Sequence, residues 1–314
     1  MCIRKPKSLR KGDTVGLISV SSPVTKETVK KSVEYLAKLG YSVKLGKHIL
    51  QNEGHMAGTV EQRSLDLNEM FRRDDIKAVF CAYGGTSANQ ILPYIDYDLI
   101  RTKPKIFVGL SDSSILATAI YTKSGVVTFH GPTGYNFGEA GMTEYTERYF
   151  LRALCNPEPL SEIEELSPWI TIRDGSTEGK IVGGNLSLLQ SLMGTQYEPD
   201  WEDKIMFWED LFVEYHTIDL ILSHLDLAGV FKRMKGMVIG RLVGCEEQEY
   251  KTKETFEDMI RRILAKYDFP ILYNVDLGHT DDKITIPIGT TVRLDLSGNG
   301  AKLTFTESAT IGSD

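Results

Sequence analysis

The chain has 314 residues, of which 41% are apolar and 25% charged, and a net charge of −7. At about 150 residues per domain this is enough for two domains, with the composition of an ordinary folded protein. The negative balance argues against a nucleic-acid partner, and no apolar run approaches the ~20 residues that cross a bilayer.

In chain order, the first half alternates strand-like and helix-like segments. Val15 to Ser19 is a short apolar strand, followed by a serine-rich loop at Ser21 and Ser22. Thr25 to Leu39 carries Val29, Val33, Leu36 and Leu39 at helical spacing and closes on Gly40. Tyr41 to Leu45 reads as a second strand. Glu61 to Phe71 reads as a helix with Leu65, Leu67 and Met70 turned inward. Ala78 to Ala82 and Lys105 to Leu110 are buried-type strands, and Ile115 to Tyr121 begins a helix. Short apolar strands between amphipathic helices predict a parallel sheet covered on both faces, an α/β fold.

Residues 156–178 are polar, acidic and contain three prolines, so they are expected to link two domains, 1–155 and 179–314. The second domain is expected to be mixed and richer in β. Its strands are predicted at Lys180–Val182, Ile205–Trp208, Met237–Leu242, Ile284–Pro287, Thr291–Asp295 and Lys302–Phe305. Its helices are predicted at Ile218–Ala228 and Thr255–Lys266. The basic residues between Arg4 and Lys11 form a solvated lead-in with no signal-peptide character. Four cysteines (Cys2, Cys81, Cys155, Cys245) lack any paired or metal-like spacing, which fits reduced thiols and a cytoplasmic location.

One turn stands out chemically. A buried strand ends at Gly109, Ser111 follows, and a helix begins just beyond it. Such a turn holds a hydroxyl where helix N-terminal amides can meet an oxyanion. It lacks the second glycine of G-x-S-x-G, and Ser111, Asp112 or Ser113 can equally serve as a helix cap. The loop Tyr83-Gly84-Gly85-Thr86 also follows a strand, so both loops lie at the strand ends where open parallel sheets bind ligands. A serine nucleophile needs a base. Among six histidines, His279 and His130 stand at strand ends, with His216 behind them. Glu209 closes the apolar strand at Trp208 and is a partly buried acid; Asp210, Asp219, Asp276 and Asp281 compete with it.

Four ordered motifs carry a resemblance. Gly109-Leu110-Ser111-Asp112, Gly183-Gly184-Asn185-Leu186, Trp208-Glu209-Asp210 and Gly278-His279 are similar to those of the LD-carboxypeptidase family of serine peptidases. The resemblance runs from Lys11-Gly12-Asp13 to the C-terminal strands. It implies a catalytic triad of Ser111, His279 and Glu209, with an oxyanion hole from the Gly85 and Asp112 amides. It also implies a flavodoxin-like first half, a smaller β-rich second half, a homodimer, and no metal or organic cofactor. Gly84, Thr86, Asn185 and Trp169 are candidates for binding substrate.

Within the family, the missing arginine before Gly84 and the segment Gln90 to Tyr97 look more like microcin C immunity peptidases. Those cleave aminoacyl-nucleotide analogues, with an aromatic residue stacked on the base, a role for which Trp169 is the candidate. The alternatives are murein tetrapeptide cleavage by the same triad, or a non-catalytic module closing on a small molecule.

Overall fold

The computed structural model describes residues 2–245, 254–297 and 300–313. Five strands of the first half are β1 (Thr14–Ile18), β2 (Ser42–Leu45), β3 (Ile76–Cys81), β4 (Ile106–Gly109) and β5 (Thr128–His130). They run parallel in the order β2-β1-β3-β4-β5, the flavodoxin-like arrangement. β3 and β4 are buried almost end to end, as continuous apolar runs covered on both faces must be.

The helices of this half are α1 (Lys26–Lys38), α2 (Val60–Arg72), α3 (Tyr97–Thr102), α4 (Ser113–Ser124) and α5 (Glu144–Cys155). α1 and α2 start at threonine caps, and Thr59 with Gln62 forms a reciprocal capping box. In α2, Leu67, Met70 and Phe71 form the buried stripe at i, i+3 and i+4. Leu65 lies off that stripe and is exposed, contrary to the expectation from sequence.

The second sheet draws on β6 (Ser161–Glu162), β7 (Ile170–Arg173), β8 (Ser176–Asn185), β9 (Lys204–Leu211), β10 (Gly236–Val243) and β11 (Ile271–Val275). With β13 (Thr291–Asp295) and β14 (Lys302–Phe305) its order is β6-β14-β13-β8-β9-β10-β11-β7. The four central strands are parallel and the edges antiparallel. Segment 156–178 therefore supplies two short edge strands, one at each side of this sheet. The helices here are α6 (Leu186–Leu189), α7 (Tyr215–Leu227), α8 (Val230–Arg233) and α9 (Phe256–Ile263).

β12 (Ile286–Ile288) departs from the sequence reading, which grouped it with the strands of the second half. It pairs antiparallel with β5, Ile286 opposite His130 and Ile288 opposite Thr128, and so closes the buried edge of the first sheet.

The two sheets meet across α4, which is buried on nearly all sides and accordingly shows no polar face. Its close approach to β8 depends on Gly184, where a Cβ would lie 2.8 Å from the Ser114 hydroxyl. The contact is sealed by Thr118, whose hydroxyl donates to the Gly183 carbonyl at 2.7 Å. Among the described residues, no helix is long and apolar enough to cross a membrane.

Candidate active site

Ser111 sits between β4 and α4 with φ of +59°. A left-handed backbone is uncommon for a residue with a side chain and costs on the order of 1–3 kcal/mol. The turn is locked by Ser113, whose hydroxyl donates to the Leu110 carbonyl (2.8 Å) and accepts from the Leu110 amide (3.0 Å).

The loop after β3 lies directly against this serine. A Cβ on Gly84 would fall 2.6 Å from the Ser111 Cβ and 2.8 Å from its Oγ. Asp112 holds the two loops together. Its buried carboxylate accepts from the Ser87 and Ala88 amides, both at 2.7 Å, and from the Ser21 hydroxyl. These bonds offset the cost of taking a carboxylate out of water. The fully buried Arg63 braces the same loop by donating to the Ser87 carbonyl (2.9 Å) and the Val20 carbonyl (3.0 Å). The Gly85 and Asp112 amides are not among these bonds.

The second sheet brings a carboxylate and an imidazole together. Glu209, near the end of β9, is fully buried, and its Oε2 lies 2.6 Å from His279 Nδ1. Burial pushes Glu209 upward, but the His279 imidazole outweighs it and holds the carboxyl below its usual range. For His279, burial disfavours the charged ring, yet Glu209 prevails and the net shift is upward. Asn185 donates its side-chain amide to Glu209 (3.4 Å) and Asp210 (3.0 Å). Asp210 also accepts from the Ser187 and Leu211 amides, so it is occupied in holding the strand end.

Ser111 and His279 open onto one cavity of about 660 Å³, which Gly84, Gly85, Phe212 and Lys283 also line. Thr86 is exposed outside these walls, while Asn185, Glu209 and Asp112 stand behind them. Trp169 does not line the cavity; it packs half-buried against the core. His130, expected at the cleft, is instead fully buried behind Glu209, its Nε2 3.9 Å from Oε1. Burial lowers it to about 4, so it is a neutral ring packed edge-on against Phe207. His216 lies at the surface beside Glu214.

Sequence reasoning missed Lys283 and Phe212. A lysine in a polar loop reads as solvated, and nothing in the local sequence signals that Phe212 adopts a φ of +53° and remains exposed at the cavity. Proximity to the two motifs, four residues after His279 and three after Glu209, was the available clue.

A serine on a tight strand-to-helix turn, sharing a cavity with an imidazole that is backed by a buried carboxylate, makes a site equipped for acyl transfer. Residues 15–131 match the LD-carboxypeptidase N-terminal domain and residues 178–294 the LD-carboxypeptidase C-terminal domain. The chain belongs to the LD-carboxypeptidase family and is a serine peptidase.

It is 38% identical over 286 residues to the probable murein peptide carboxypeptidase of Bacillus subtilis, covering 91% of this chain and 89% of that protein. It is 29% identical over 325 residues to the microcin C7 self-immunity protein of Escherichia coli, covering 93% of each. A solved structure of an active-site mutant of the microcin C7 self-immunity protein superposes with a TM-score of 0.90 at 25% identity. That match covers 98% of this chain and 99% of the other. The microcin C7 self-immunity protein has also been solved with aspartyl sulfamoyl adenosine.

Proposed function

We propose that this protein is a carboxypeptidase that uses Ser111 as nucleophile, His279 as base and Glu209 as orienting acid. The observation that carries the reading is the 2.6 Å Glu209–His279 contact beside a strained serine on the same cavity. With Nδ1 engaged by Glu209, Nε2 is the nitrogen left to take the Ser111 proton. The serine oxygen attacks the amide carbonyl, and the Gly85 and Asp112 amides receive the oxyanion, each worth roughly 3–4 kcal/mol in comparable sites. His279 then hands its proton to the leaving amine. Water, deprotonated by the same imidazole, releases the acyl group and restores the serine.

The nucleophile turn comes from the first sheet and the acid–base pair from the second, so the division near 156–178 leaves the site between two domains. As substrate we infer a small peptide of murein type, cut at its C-terminal residue. The relative named for that activity shares more identity with this chain than the microcin protein does.

A second reading, cleavage of an aminoacyl-nucleotide analogue, is favoured by the Gln90 to Tyr97 segment and by the close superposition on the microcin protein. Hydrolysis of an L,D-linked tetrapeptide is to be compared with that of aspartyl sulfamoyl adenosine, using wild type and Ser111→Ala. Wild type should favour the peptide, and Ser111→Ala should lose at least roughly 10⁴-fold in kcat on either substrate. A fluorophosphonate that fails to label Ser111, or a variant within a few-fold of wild type, would remove the serine mechanism; a wild type that turns over neither substrate and resists the label would leave a binding module.

A further inference from the structure

Lys283 is only 3% exposed, yet it lines the cavity that holds Ser111 and His279. An ammonium carries three donors. This one spends a single bond, to the Asp281 carbonyl at 3.2 Å, and makes no ion pair among the described residues. Its charge disfavours the protonated His279 ring, and the Glu209 charge favours the ammonium form of Lys283. Burial pushes its pKa down, while the charges of Asp281, Asp282 and Glu209 oppose that shift.

Lys105, the other lysine buried among the described residues, shows what a structural role looks like. Lys105 donates to the Met70 carbonyl at 2.9 Å and to the Arg73 carbonyl, closing the C-terminal end of α2 away from the cavity. Lys283 closes no helix, and its backbone amide already has a partner in the Thr146 hydroxyl. A desolvated cation with unspent donors is costly unless something charged arrives to meet it. The cavity side is the open direction.

We propose that the Lys283 ammonium binds the anionic group of the substrate's leaving portion, which for a peptide is the α-carboxylate of the C-terminal residue. This rests on the reading that Ser111 attacks the adjoining amide. It makes Lys283 a specificity residue: it selects substrates with an anion next to the scissile bond and rejects blocked or internal amides. The site then defines a carboxypeptidase by charge recognition and not merely by the size of the cavity.

The test is the ratio of kcat/KM for a tetrapeptide with a free C-terminal carboxylate to that for its carboxamide. It is measured on the full-length protein as wild type, Lys283→Met and Lys283→Arg. Wild type should prefer the acid, and Lys283→Met should reduce that preference roughly 10- to 100-fold, mainly through KM. Lys283→Arg should restore part of it, which a purely structural lysine would not produce. An unchanged ratio in Lys283→Met overturns the proposal. If that variant does not fold, Lys283→Gln is read by the same criterion. A wild type that is labelled at Ser111 but cleaves neither peptide removes the peptide reading alone. The same variants are then assayed on aspartyl sulfamoyl adenosine, where a tenfold or larger rise in KM supports the anion subsite and an unchanged KM overturns it.

Discussion

His279 titrates under two opposing influences, and their balance sets how activity should vary with pH. Burial alone would drive the ring below the ordinary histidine value, but the Glu209 carboxylate at 2.6 Å brings the net above it. In the proposed mechanism only the neutral ring takes the serine proton, so kcat/KM should rise with pH through an ionisation above about 6.5. The same pairing stabilises the fold fully below the unfolded-state value and loses that contribution as pH rises through the folded one. Glu209→Gln should move the acid limb to lower pH, because burial then prevails, while lowering kcat on the order of 10⁴-fold through the wrong tautomer. An acid limb that stays in place in Glu209→Gln would mean that another group sets it. His130 shows why one sequence could not separate two histidines. Both follow strand-like runs beside glycine, and only the pairing of β12 over β5 shows that His130 is sealed inside.

At the scale of elements, the strand–turn–helix at Ser111 was legible because a buried run, a glycine and a polar helix start are all local features. The loop that faces it was legible only as a turn. What the sequence hides is that Asp112 reaches across to the Ser87 and Ala88 amides, since that bond joins segments 24 and 25 residues apart. The consequence is specific. Gly84→Ala places a methyl 2.6 Å from the Ser111 Cβ, so either the loop or the serine must move. With Ser111 as the proposed nucleophile, a shift of this size should cost about 10²-fold in kcat. The change lies at a half-buried loop, so thermal stability should fall much less than activity. Fluorophosphonate labelling kinetics beside a melting curve would check this. Equal labelling rates in variant and wild type would show that the Gly84 approach is unimportant. β12 was misplaced for the converse reason: a three-residue apolar strand carries no mark of the sheet it will join.

The whole molecule is tied together more tightly than a two-domain reading of its sequence implies. α4 packs on both sheets, and β12 crosses back from the second half to complete the first sheet. The chain ends are joined as well: the Ser8 amide donates to the Ile311 carbonyl, the Ile311 amide to Pro6, and Lys5 pairs with Glu307 at 3.0 Å. Unfolding either sheet alone would strip α4 of one partner and expose a helix without a polar face. The two halves should therefore melt in one cooperative transition, with calorimetric and van't Hoff enthalpies equal. Gly184→Val sharpens the test, because its side chain would collide with Ser114 on the shared face. Overpacking of this kind costs roughly 1–3 kcal/mol. If the sheets share their stability through α4, the variant should melt lower but still in a single peak. Two resolved peaks in wild type, or a shift of only one of two peaks in Gly184→Val, would show that the sheets unfold independently. The active site would then be a junction of two separable units, and loss of activity on heating would follow the weaker one.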